Sequence, residues 1–265
     1  MIVVKIGGSI VEGLNPSILD DFSKLVRDDK VVIVHGGGKD VTNTANLMGK
    51  EQKFIVSPDG KRSRYTDKET SLIYTMVMSG KISKQITAML GSRGILSVGI
   101  TGIDGKMIKA DRKKKLLILN EKGRKMIIEG GYTGKVSKVD PKLIYSLLDN
   151  GYIPIISPVA ISEENEFLNI DGDRAAANVA GAIKSDAIVF ITNVNGLMMN
   201  DKLVTSLSLQ DAKQMLSKIG PGMEKKVLAC TEAIDMGVKK AIIASGSVQN
   251  PLMTALENKN CTVIS

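Results

Sequence analysis

The segment MIVVKIGGS, residues 1–9, sets the pattern from which the fold can be predicted. It joins a short apolar run to two glycines, and the only charged side chain within the run is that of Lys5. The segment VVIVHGGGK at 31–39 repeats this order of apolar run and glycines. Short runs that are apolar throughout are typical of parallel strands covered on both faces. Both segments therefore predict buried strands that end in glycine turns.

Five further apolar runs follow, and helical patterns separate them. The runs are ILSVGI at 95, YIPIISP at 152, AIVFITN at 187, AIIAS at 241 and CTVIS at 261. The helical patterns cover 67–91, 140–150, 171–184 and 223–237. Alternating strands and helices predict a three-layer αβα protein with an open, mainly parallel sheet. A renewed run of alternating elements after residue 170 predicts a domain boundary there.

Local signals refine these elements. Thr66 followed by Glu69 predicts a capping box at the start of the first long helix. Asp140 before Pro141 predicts an N-cap and a proline in the first helical position. Period-two patterns with glycine turns predict β-hairpin insertions at 54–64 and 106–136, and insertions of this kind often carry substrate contacts.

Composition limits the class of protein. The 265 residues have 43% hydrophobic side chains, no Trp and four Phe, which predicts an ordered core of Ile, Val, Leu and Met. Cys230 and Cys261 are far apart and lie in apolar patterns, so we expect reduced thiols and a cytoplasmic location. No apolar run approaches the roughly 18 residues that a membrane span needs.

The positive charge is concentrated in one segment. The net charge is +8, and residues 104–138 carry eleven basic and four acidic side chains, a balance of +7. Within this segment lies DRKKKLLILNEKGRKMIIEGGYTGKV at 111–136, which has no aromatic side chain apart from Tyr132. The segment also lacks a helix-turn-helix or RNA-binding signature, and both observations disfavour nucleic acid as the partner.

The motif GGYTGKV at 130–136 resembles a phosphate loop only partly. The spacing from Gly130 to Gly134 is one residue short, and Val136 replaces the hydroxyl residue that binds Mg²⁺ in a Walker sequence. The motif therefore predicts a β-turn.

Glycines at three other strand ends are better candidates for anion binding. They are Gly7-Gly8, Gly36-Gly37-Gly38 and Asn195-Gly196. Glycine between a strand and a helix lets backbone N–H groups approach a phosphate or carboxylate, and ligands of open α/β sheets collect at these strand ends. Lys5, directly before one such turn, predicts a buried ammonium group that meets an anion, although a lysine that reaches the surface is the alternative.

Several motifs together resemble the amino acid kinase family, over nearly the whole chain. They are KIGGS at 5, VIVHGGG at 32, LNIDGDRAAANVA at 168, ITNVNGL at 191 and GPGMEKKV at 220. The acetylglutamate kinase branch is indicated by SRYTDKET at 63 and NGYIPIISPVA at 150. Within that branch, kinases of aminoadipate or glutamate carried on the small acidic protein LysW are indicated by SRYTDKET, GGYTGKV, NIDGDRAA at 169 and SGSVQNP at 245.

The resemblance implies a cytoplasmic enzyme of lysine and arginine biosynthesis. It implies that ATP with Mg²⁺ phosphorylates a side-chain carboxylate to an acyl phosphate, and that the protein is a homodimer. Residues 1–170 would form the acyl-substrate lobe and residues 171–265 the nucleotide lobe. Phosphates and water would hold the Mg²⁺, so no dedicated carboxylate cage is expected.

The resemblance also assigns catalytic residues. Lys5 and Lys226 would stabilise the charge of the transferring phosphoryl group, and Asp173 would orient both lysines. Lys225 is the competing candidate for the second lysine. Phosphoryl transfer to a carboxylate needs positioned cations rather than a base, because the acceptor is already nucleophilic. His35, the only histidine, is therefore interpreted as a structural residue that supports the glycine loop.

Further residues would bind the two substrates. Gly8 would donate its N–H to the nucleotide phosphates, and Gly37 and Gly38 would donate theirs to the reacting carboxylate. Arg64 would clamp the other carboxylate of the acceptor, and Asn169 would hold its amino-acid end. The residues expected around the nucleotide are Thr192, Asn193, Asn195, Gly196, Leu197, Pro221, Gly222 and Met223.

The function retains alternatives at this stage. An acidic LysW-type carrier docking on the basic hairpin 106–138 explains why the charge is concentrated there. An N-acetylglutamate kinase of arginine biosynthesis is the nearest alternative, and a non-catalytic nucleotide-binding regulator is a further one. The lysines of the hairpin could also serve only to keep its edges unpaired. The sequence does not predict whether aminoadipate or glutamate is preferred.

Overall fold

The computed structural model describes residues 1–11, 15–220 and 222–265. Its strands are β1 (Ile2–Ile6), β2 (Val31–His35), β3 (Phe54–Val56), β4 (Arg62–Arg64), β5 (Ser97–Thr101), β6 (Ile108–Arg112), β7 (Lys115–Leu119), β8 (Lys125–Glu129), β9 (Gly134–Val139), β10 (Ile153–Ser157), β11 (Val159–Ile161), β12 (Phe167–Asn169), β13 (Ala187–Thr192), β14 (Met198–Met199), β15 (Lys202–Leu203), β16 (Ser206–Leu207), β17 (Lys240–Ser245) and β18 (Cys261–Ile264).

Helices connect most of the strands of the central sheet. They are α1 (Gly8–Val11), α2 (Pro16–Asp28), α3 (Gly38–Leu47), α4 (Lys68–Thr75), α5 (Ser83–Gly91), α6 (Lys142–Asp149), α7 (Gly172–Ala182), α8 (Leu209–Met215), α9 (Met223–Asp235) and α10 (Pro251–Leu256). A π-helical segment, Met76–Ile82, joins α4 to α5, so the helical pattern at 67–91 is one rod with a wider turn in its middle. No helix among the described residues is long and apolar enough to cross a membrane.

An eight-stranded sheet forms the centre, in the order β16-β18-β17-β13-β1-β2-β10-β5. All seven strands predicted from apolar runs belong to it, and the expectation of a mainly parallel sheet is confirmed; β18 runs antiparallel to β17. Two-residue β16 at the edge was not predicted. Both sides of residue 170 contribute strands, since β1 pairs with β2 and with β13. The division into lobes at 1–170 and 171–265 stays a prediction.

Helices cover both faces of this sheet. The apolar cluster on one face includes side chains from α2, α3, α4, α5 and α10, and the cluster on the other includes side chains from α6, α7, α8 and α9. Successive side chains of a strand point to opposite faces. Val3 belongs to the cluster that contains α7, so Lys5, two residues further along β1, points to the same face.

Both predicted hairpin insertions are present. β3 pairs with β4, and the 106–136 insertion has two tiers, in which β6 pairs with β9 at the base and β7 pairs with β8 at the tip. The base belongs to a separate four-stranded sheet with β11 and β12. We name β7, β8 and the turn between them the tip hairpin.

The β-turn predicted for GGYTGKV is wrong. Gly130 and Gly131 link β8 to a bend at Tyr132, and β9 begins at Gly134. A Cβ atom on Gly130 would lie 1.5 Å from the carbonyl oxygen of Lys113, and one on Gly131 would lie 2.1 Å from that of Thr66. The glycines therefore allow close backbone contact rather than chain reversal.

The two predicted helix starts differ from those in the structure by one residue each. Asp67, rather than Thr66, caps α4, because its carboxylate accepts a hydrogen bond from the Thr70 N–H at 2.8 Å. Thr66 is buried and accepts a bond from the Asn169 side chain instead. At α6, the helix begins at Lys142 and Pro141 occupies the N-cap position, so the predicted N-cap at Asp140 and helical Pro141 are wrong by one residue. The Asp140 carboxylate still accepts a hydrogen bond from the Lys142 N–H at 3.1 Å.

Candidate active site

One buried carboxylate shared by two lysines lies at the centre of the molecule. Lys5 Nζ lies 2.7 Å from Asp173 Oδ1, and Lys226 Nζ lies 2.9 Å from Asp173 Oδ2. Lys5 is only 7% exposed, so its ammonium group is buried against an anion rather than extended to the surface. Lys225 instead bonds the backbone of Arg62, so Lys226 is the lysine of the pair that reaches Asp173.

The fold brings these three residues together from distant parts of the chain. Lys5 leaves the central strand towards α7, whose first turn carries Asp173. Asp171 caps this helix, and its carboxylate accepts hydrogen bonds from the N–H groups of Asp173 and Arg174. The buried face of α7 is rich in alanine, which lets α9 pack closely and present Lys226 from its own first turns.

The charges of the two lysines decide the protonation state of Asp173. Burial by itself raises the pKa of this carboxyl group, but the nearby ammonium groups of Lys5 and Lys226 outweigh burial and lower the pKa to about 2. Asp173 is therefore ionised at any physiological pH, and the cluster carries two positive charges and one negative charge.

Two glycine loops touch one another beside this cluster. A Cβ atom on Gly8 would lie 2.6 Å from the backbone nitrogen of Gly37, and one on Gly36 would lie 2.8 Å from the nitrogen of Gly8. No side chain fits in this contact. The loops after β1 and β2 therefore meet through backbone alone, which leaves the N–H groups of Gly8, Gly37 and Gly38 close to the ends of the two strands.

His35 contacts the loop that follows β2, which is the second of these loops. Its Nδ1 lies 3.1 Å from the Gly36 carbonyl oxygen, and its Nε2 lies 2.9 Å from Ser157 Oγ. Burial lowers the pKa of His35 to about 4, so the ring is neutral at physiological pH. The neutral ring carries one proton, which is donated either from Nδ1 to Gly36 or from Nε2 to Ser157 Oγ, whose own hydroxyl lies 3.1 Å from the Met78 carbonyl oxygen. These contacts agree with the interpretation of His35 as a structural residue.

A cavity of 510 Å³ contains both residues expected to bind the acceptor substrate, Arg64 and Asn169. Arg64 donates hydrogen bonds to the Gly38 carbonyl oxygen at 2.7 Å, to Thr42 Oγ1 at 2.8 Å and to the Gln52 side chain. It therefore lies next to the glycine loop. Walls of the cavity come from β3–β4, from the tip hairpin, from β9 and from α7.

Positive charge dominates this cavity. Its charged lining residues are Lys61, Arg64, Lys113, Lys135, Arg174 and Lys225 against Asp59 and Asp171. Lys113 and Lys135 have no ion-pair partner among the described residues. Burial, followed by the charge of Arg174, lowers the pKa of Lys113, as expected for an ammonium group among other cations.

Sequence reasoning missed most of these cavity residues. A signal for three of them was available, because Asp171, Arg174 and Asn178 lie at helical spacing on one face of an otherwise alanine-rich helix. No comparable signal marks Lys61 or Lys113, which the fold brings to the cavity from two separate hairpins.

The residues expected around the nucleotide lie in two places. Thr192 ends β13, its carbonyl oxygen accepts from the Gly246 N–H at 2.7 Å, and Asn193 and Asn195 after it are exposed. Gly196 is buried beside Thr262, and the Leu197 N–H donates to Thr262 Oγ1 at 2.8 Å. Leu197 thus fixes the end of this loop in the core.

The second place is the start of α9. Gly222 precedes the helix with a φ of 96°, and Met223 opens it, one turn before Lys226. Pro221 lies outside the described residues. A contact of either group with nucleotide stays a prediction.

The basic segment 104–138 is divided electrostatically. At its base, three cations form ion pairs with glutamates of the loop between β11 and β12. The pairs are Lys109 with Glu163, Arg112 with Glu166 and Lys114 with Glu164. Lys122, Arg124 and Lys125 of the tip hairpin are exposed and have no ion-pair partner among the described residues. Free positive charge therefore lies at the tip and in the cavity, and also at Lys106 and Lys138 of the base, which have no ion-pair partner among the described residues either.

These features define a class of protein. The fold is a three-layer αβα protein with a mainly parallel sheet. At its strand ends, two glycine loops meet through backbone alone, and two lysines share one carboxylate. This arrangement is suited to hold phosphate groups and to stabilise their charge. Residues 1–245 match the amino acid kinase family, and the chain belongs to that family of phosphotransferases.

Individual relatives are similar over their whole length. The chain is 44% identical over 264 residues to a [LysW]-aminoadipate/[LysW]-glutamate kinase of Metallosphaera sedula, covering 99% of this chain and 100% of that one. It is 42% identical, with the same coverage, to the protein of the same name from Sulfolobus acidocaldarius. Among solved structures, smu.665 of Streptococcus mutans is similar with a TM-score of 0.81 at 24% identity, covering 100% of this chain and 98% of that chain, which indicates a shared fold.

Asp173→Asn should lower the free energy of unfolding in a pH-dependent way. The ordinary pKa of 3.8 falls to about 2 in the folded protein, so the stabilisation is complete above about pH 4 and is lost as the pH falls towards 2. The shift corresponds to about 2 kcal/mol. Urea denaturation at a series of pH values should therefore give a difference between wild type and variant that shrinks from pH 4 to pH 2.

Asp235→Asn is the matched control, because it breaks an exposed ion pair with Lys213 near the other end of α9. Its effect should stay within about 1 kcal/mol. A difference between wild type and Asp173→Asn that does not vary between pH 4 and pH 2 would contradict the assigned charge state of Asp173.

Proposed function

We propose that this protein transfers the γ-phosphoryl group of ATP to the side-chain carboxylate of aminoadipate or glutamate whose amino group is carried by LysW. The product is an acyl phosphate, and the reaction belongs to lysine and arginine biosynthesis. The observation that carries the proposal is the cationic cavity beside the glycine loops. Arg64 alone could clamp the free carboxylate of a small acetylated amino acid. Lys61 and Arg174 are already paired with acidic side chains, but Lys113, Lys135 and Lys225 are not, and these three cations suit a larger acceptor with several negative charges.

In this mechanism the two lysines act on developing charge. The acceptor carboxylate attacks the γ-phosphorus, the bond from phosphorus to the bridging oxygen breaks, and ADP leaves. Lys5 and Lys226 stabilise the charge on the transferring group, and Asp173 holds both ammonium groups at fixed positions. No proton needs to be removed from the acceptor, which is consistent with His35 being neutral and buried.

Backbone and side chains would position the two substrates. Gly8 would donate to the nucleotide phosphates, and Gly37 and Gly38 to the reacting carboxylate. Arg64 and Asn169 would bind the acceptor within the cavity. The nucleotide would lie along Thr192, Asn193, Asn195, Gly196 and Leu197 and against Gly222 and Met223.

Mg²⁺ would accompany ATP and supply positive charge to the phosphates. The only carboxylate of the lysine cluster, that of Asp173, is already paired with two ammonium groups. Among the described residues, no group of three or more His, Cys, Asp or Glu side chains is arranged to hold a metal ion. The donor set thus fits an ion held by the phosphates of ATP and by water.

The carrier would dock on the basic hairpin 106–138. The exposed cations of the tip hairpin favour an acidic partner, and β7 also lines the cavity, so a carrier bound outside can deliver its substrate arm inside. The ion pairs of Lys109, Arg112 and Lys114 neutralise part of the base of the segment, which favours the tip as the main docking surface.

A homodimer is also proposed. Large apolar side chains are exposed together at the end of α3 and along α4 and the π segment. They are Leu47, Met48, Leu72 and Met76. A second copy of the chain would remove this apolar surface from water.

A kinase assay with three acceptors tests the function. LysW-linked aminoadipate, LysW-linked glutamate and free N-acetylglutamate are compared under the same conditions, with ADP release as the measurement. We expect a kcat/KM for at least one carrier-linked acceptor that exceeds the value for N-acetylglutamate by two or more orders of magnitude. Equal or better turnover of N-acetylglutamate would favour the acetylglutamate kinase alternative, for which Arg64 and Asn169 would suffice.

The catalytic lysines can be tested separately. Lys5→Ala and Lys226→Ala should each lower kcat by about two to four orders of magnitude with little change in the KM for the acceptor, because both lysines act on transition-state charge. Lys225→Ala is the matched control at the neighbouring position and should lower kcat far less. Circular dichroism checks that the variants fold. If Lys225→Ala were as damaging as Lys226→Ala, the assignment of the second lysine would have to be abandoned.

The docking surface can be tested by charge reversal at its tip. The triple variant Lys122→Glu, Arg124→Glu, Lys125→Glu should raise the KM for a carrier-linked acceptor about tenfold or more at low salt and weaken its salt dependence. The KM for ATP should not change. Reversal of three exposed cations outside the insertion, Lys24, Arg27 and Lys218, gives the same net charge and should have little effect. Equal effects of both triple variants would mean that only net charge matters.

A further inference from the structure

We propose that the ion pair of Lys61 with Glu224 holds the β3–β4 hairpin against the start of α9 and thereby positions Lys226. Lys61 and Glu224 are positioning residues in this proposal, since neither contacts the Lys5–Asp173–Lys226 cluster. The kinetic part of the proposal rests on the function proposed above. The structural part, that one pair links the hairpin to the helix, does not.

The contact joins two elements that are far apart in the chain. Lys61 Nζ lies 2.9 Å from Glu224 Oε1 and 2.9 Å from Asp59 Oδ2. Asp59 is held in turn by Ser57, whose hydroxyl donates to its other oxygen. The pKa of Lys61 is raised by hydrogen bonds to Glu224 and then to Asp59, so both acids favour the charged lysine at this position.

A second bond supports the same contact. Lys225 Nζ donates to the backbone carbonyl oxygen of Arg62 at 3.4 Å. Three consecutive residues of α9 are therefore held from outside the helix: Glu224 and Lys225 by the hairpin, and Lys226 by Asp173. The Glu224 N–H also donates to the Gly220 carbonyl oxygen at 3.1 Å. The hairpin therefore adds side-chain contacts to the backbone hydrogen bond at the start of the helix.

The hairpin that makes these contacts also carries Arg64. Ser57, Asp59, Lys61 and Arg64 all line the cavity, so the hairpin is one of its walls. An acceptor carboxylate bound by Arg64 would act on this wall, and the Lys61–Glu224 pair would transmit the position of the wall to the helix that carries Lys226. Acceptor binding and the placement of the second lysine are thereby coupled through one short path.

The exposure of the pair fits a contact that breaks and re-forms during turnover. The side chains of Lys61 and Glu224 are 32% and 23% exposed, so the pair is partly screened by water. Loss of such a pair shifts a local equilibrium by a factor of about two to five. The intact pair therefore contributes enough to favour the hairpin conformation that contacts α9. Its contribution is also small enough for a substrate to enter and leave the cavity.

The test compares Lys61→Met, Glu224→Gln and the double variant with wild type. Lys213→Met and Asp235→Asn are matched controls, because they remove the same kinds of charge from another ion pair of α9. Asp59→Asn removes the other partner of Lys61 and leaves the pair with Glu224. Hydrogen exchange is measured on the full protein without substrate, for the amides of 54–64 and of 224–227.

We expect exchange in both segments to quicken by a factor of about two to five in Lys61→Met and in Glu224→Gln, and no further in the double variant. The controls and Asp59→Asn should leave both segments close to wild type. Unchanged exchange in the two single variants, or additive effects in the double variant, would overturn the proposal whatever the substrate proves to be.

Kinetics then test the positioning of Lys226. With whichever acceptor the enzyme phosphorylates, kcat should fall about two- to tenfold in each single variant and no further in the double variant, with the KM for ATP unchanged. A change in exchange without a change in kcat would overturn the positioning role. Failure of the carrier-linked acceptors in the assay would reject the proposed substrate and leave the exchange result to stand by itself.

Discussion

The molecule is organised around a carboxylate that two lysines share in its interior. Burying two ammonium groups and one carboxylate is costly unless each group finds its partner, and removal of the carboxylate would leave two ammonium groups uncompensated. Lys5, Asp173 and Lys226 come from a strand and two helices, so the cluster is complete only when β1, α7 and α9 are packed together. The same packing brings two glycine loops and a cationic cavity beside the lysines, and folding and catalytic geometry therefore have a common requirement.

Much of the fold could be predicted from the sequence because its strands are buried on both faces. Continuous apolar runs located seven strands of the central sheet, and Lys5 stood out as the single charge in such a run. The errors arose where a distant backbone decides the local structure. The first two glycines of GGYTGKV are required because the carbonyl groups of Lys113 and Thr66 lie too close for a side chain. Thr66 does not cap α4, and its hydroxyl accepts a hydrogen bond from Asn169 instead. Neither partner is visible to a pattern that extends over a few residues.

The candidate site was predictable to a different degree. Resemblance to a family assigned Lys5, Asp173 and Lys226, and the fold brings them within ion-pair distance. The sequence also located the positive charge, but it could not predict which of the basic side chains are paired. The glutamates that pair with Lys109, Arg112 and Lys114 lie about 50 residues further along the chain. Lys61 and Lys113 reach the cavity only through tertiary structure, so charge counting could not assign them to a wall of the site.

The contact between the glycine loops has a consequence for how such an enzyme can change. A side chain on Gly8 would meet the backbone of Gly37, almost thirty residues away, and no substitution at Gly37 can relieve that clash, so Gly8 cannot vary without moving the second loop. The contact between the glycine loops therefore has almost no mutational freedom. The cavity, in contrast, is lined largely by two hairpins that extend from the central sheet, and such insertions tolerate new lengths and charges. Under the proposed function, a new acceptor could accordingly be acquired by exchanging hairpins, while the part of the molecule that holds the phosphoryl group is inherited unchanged.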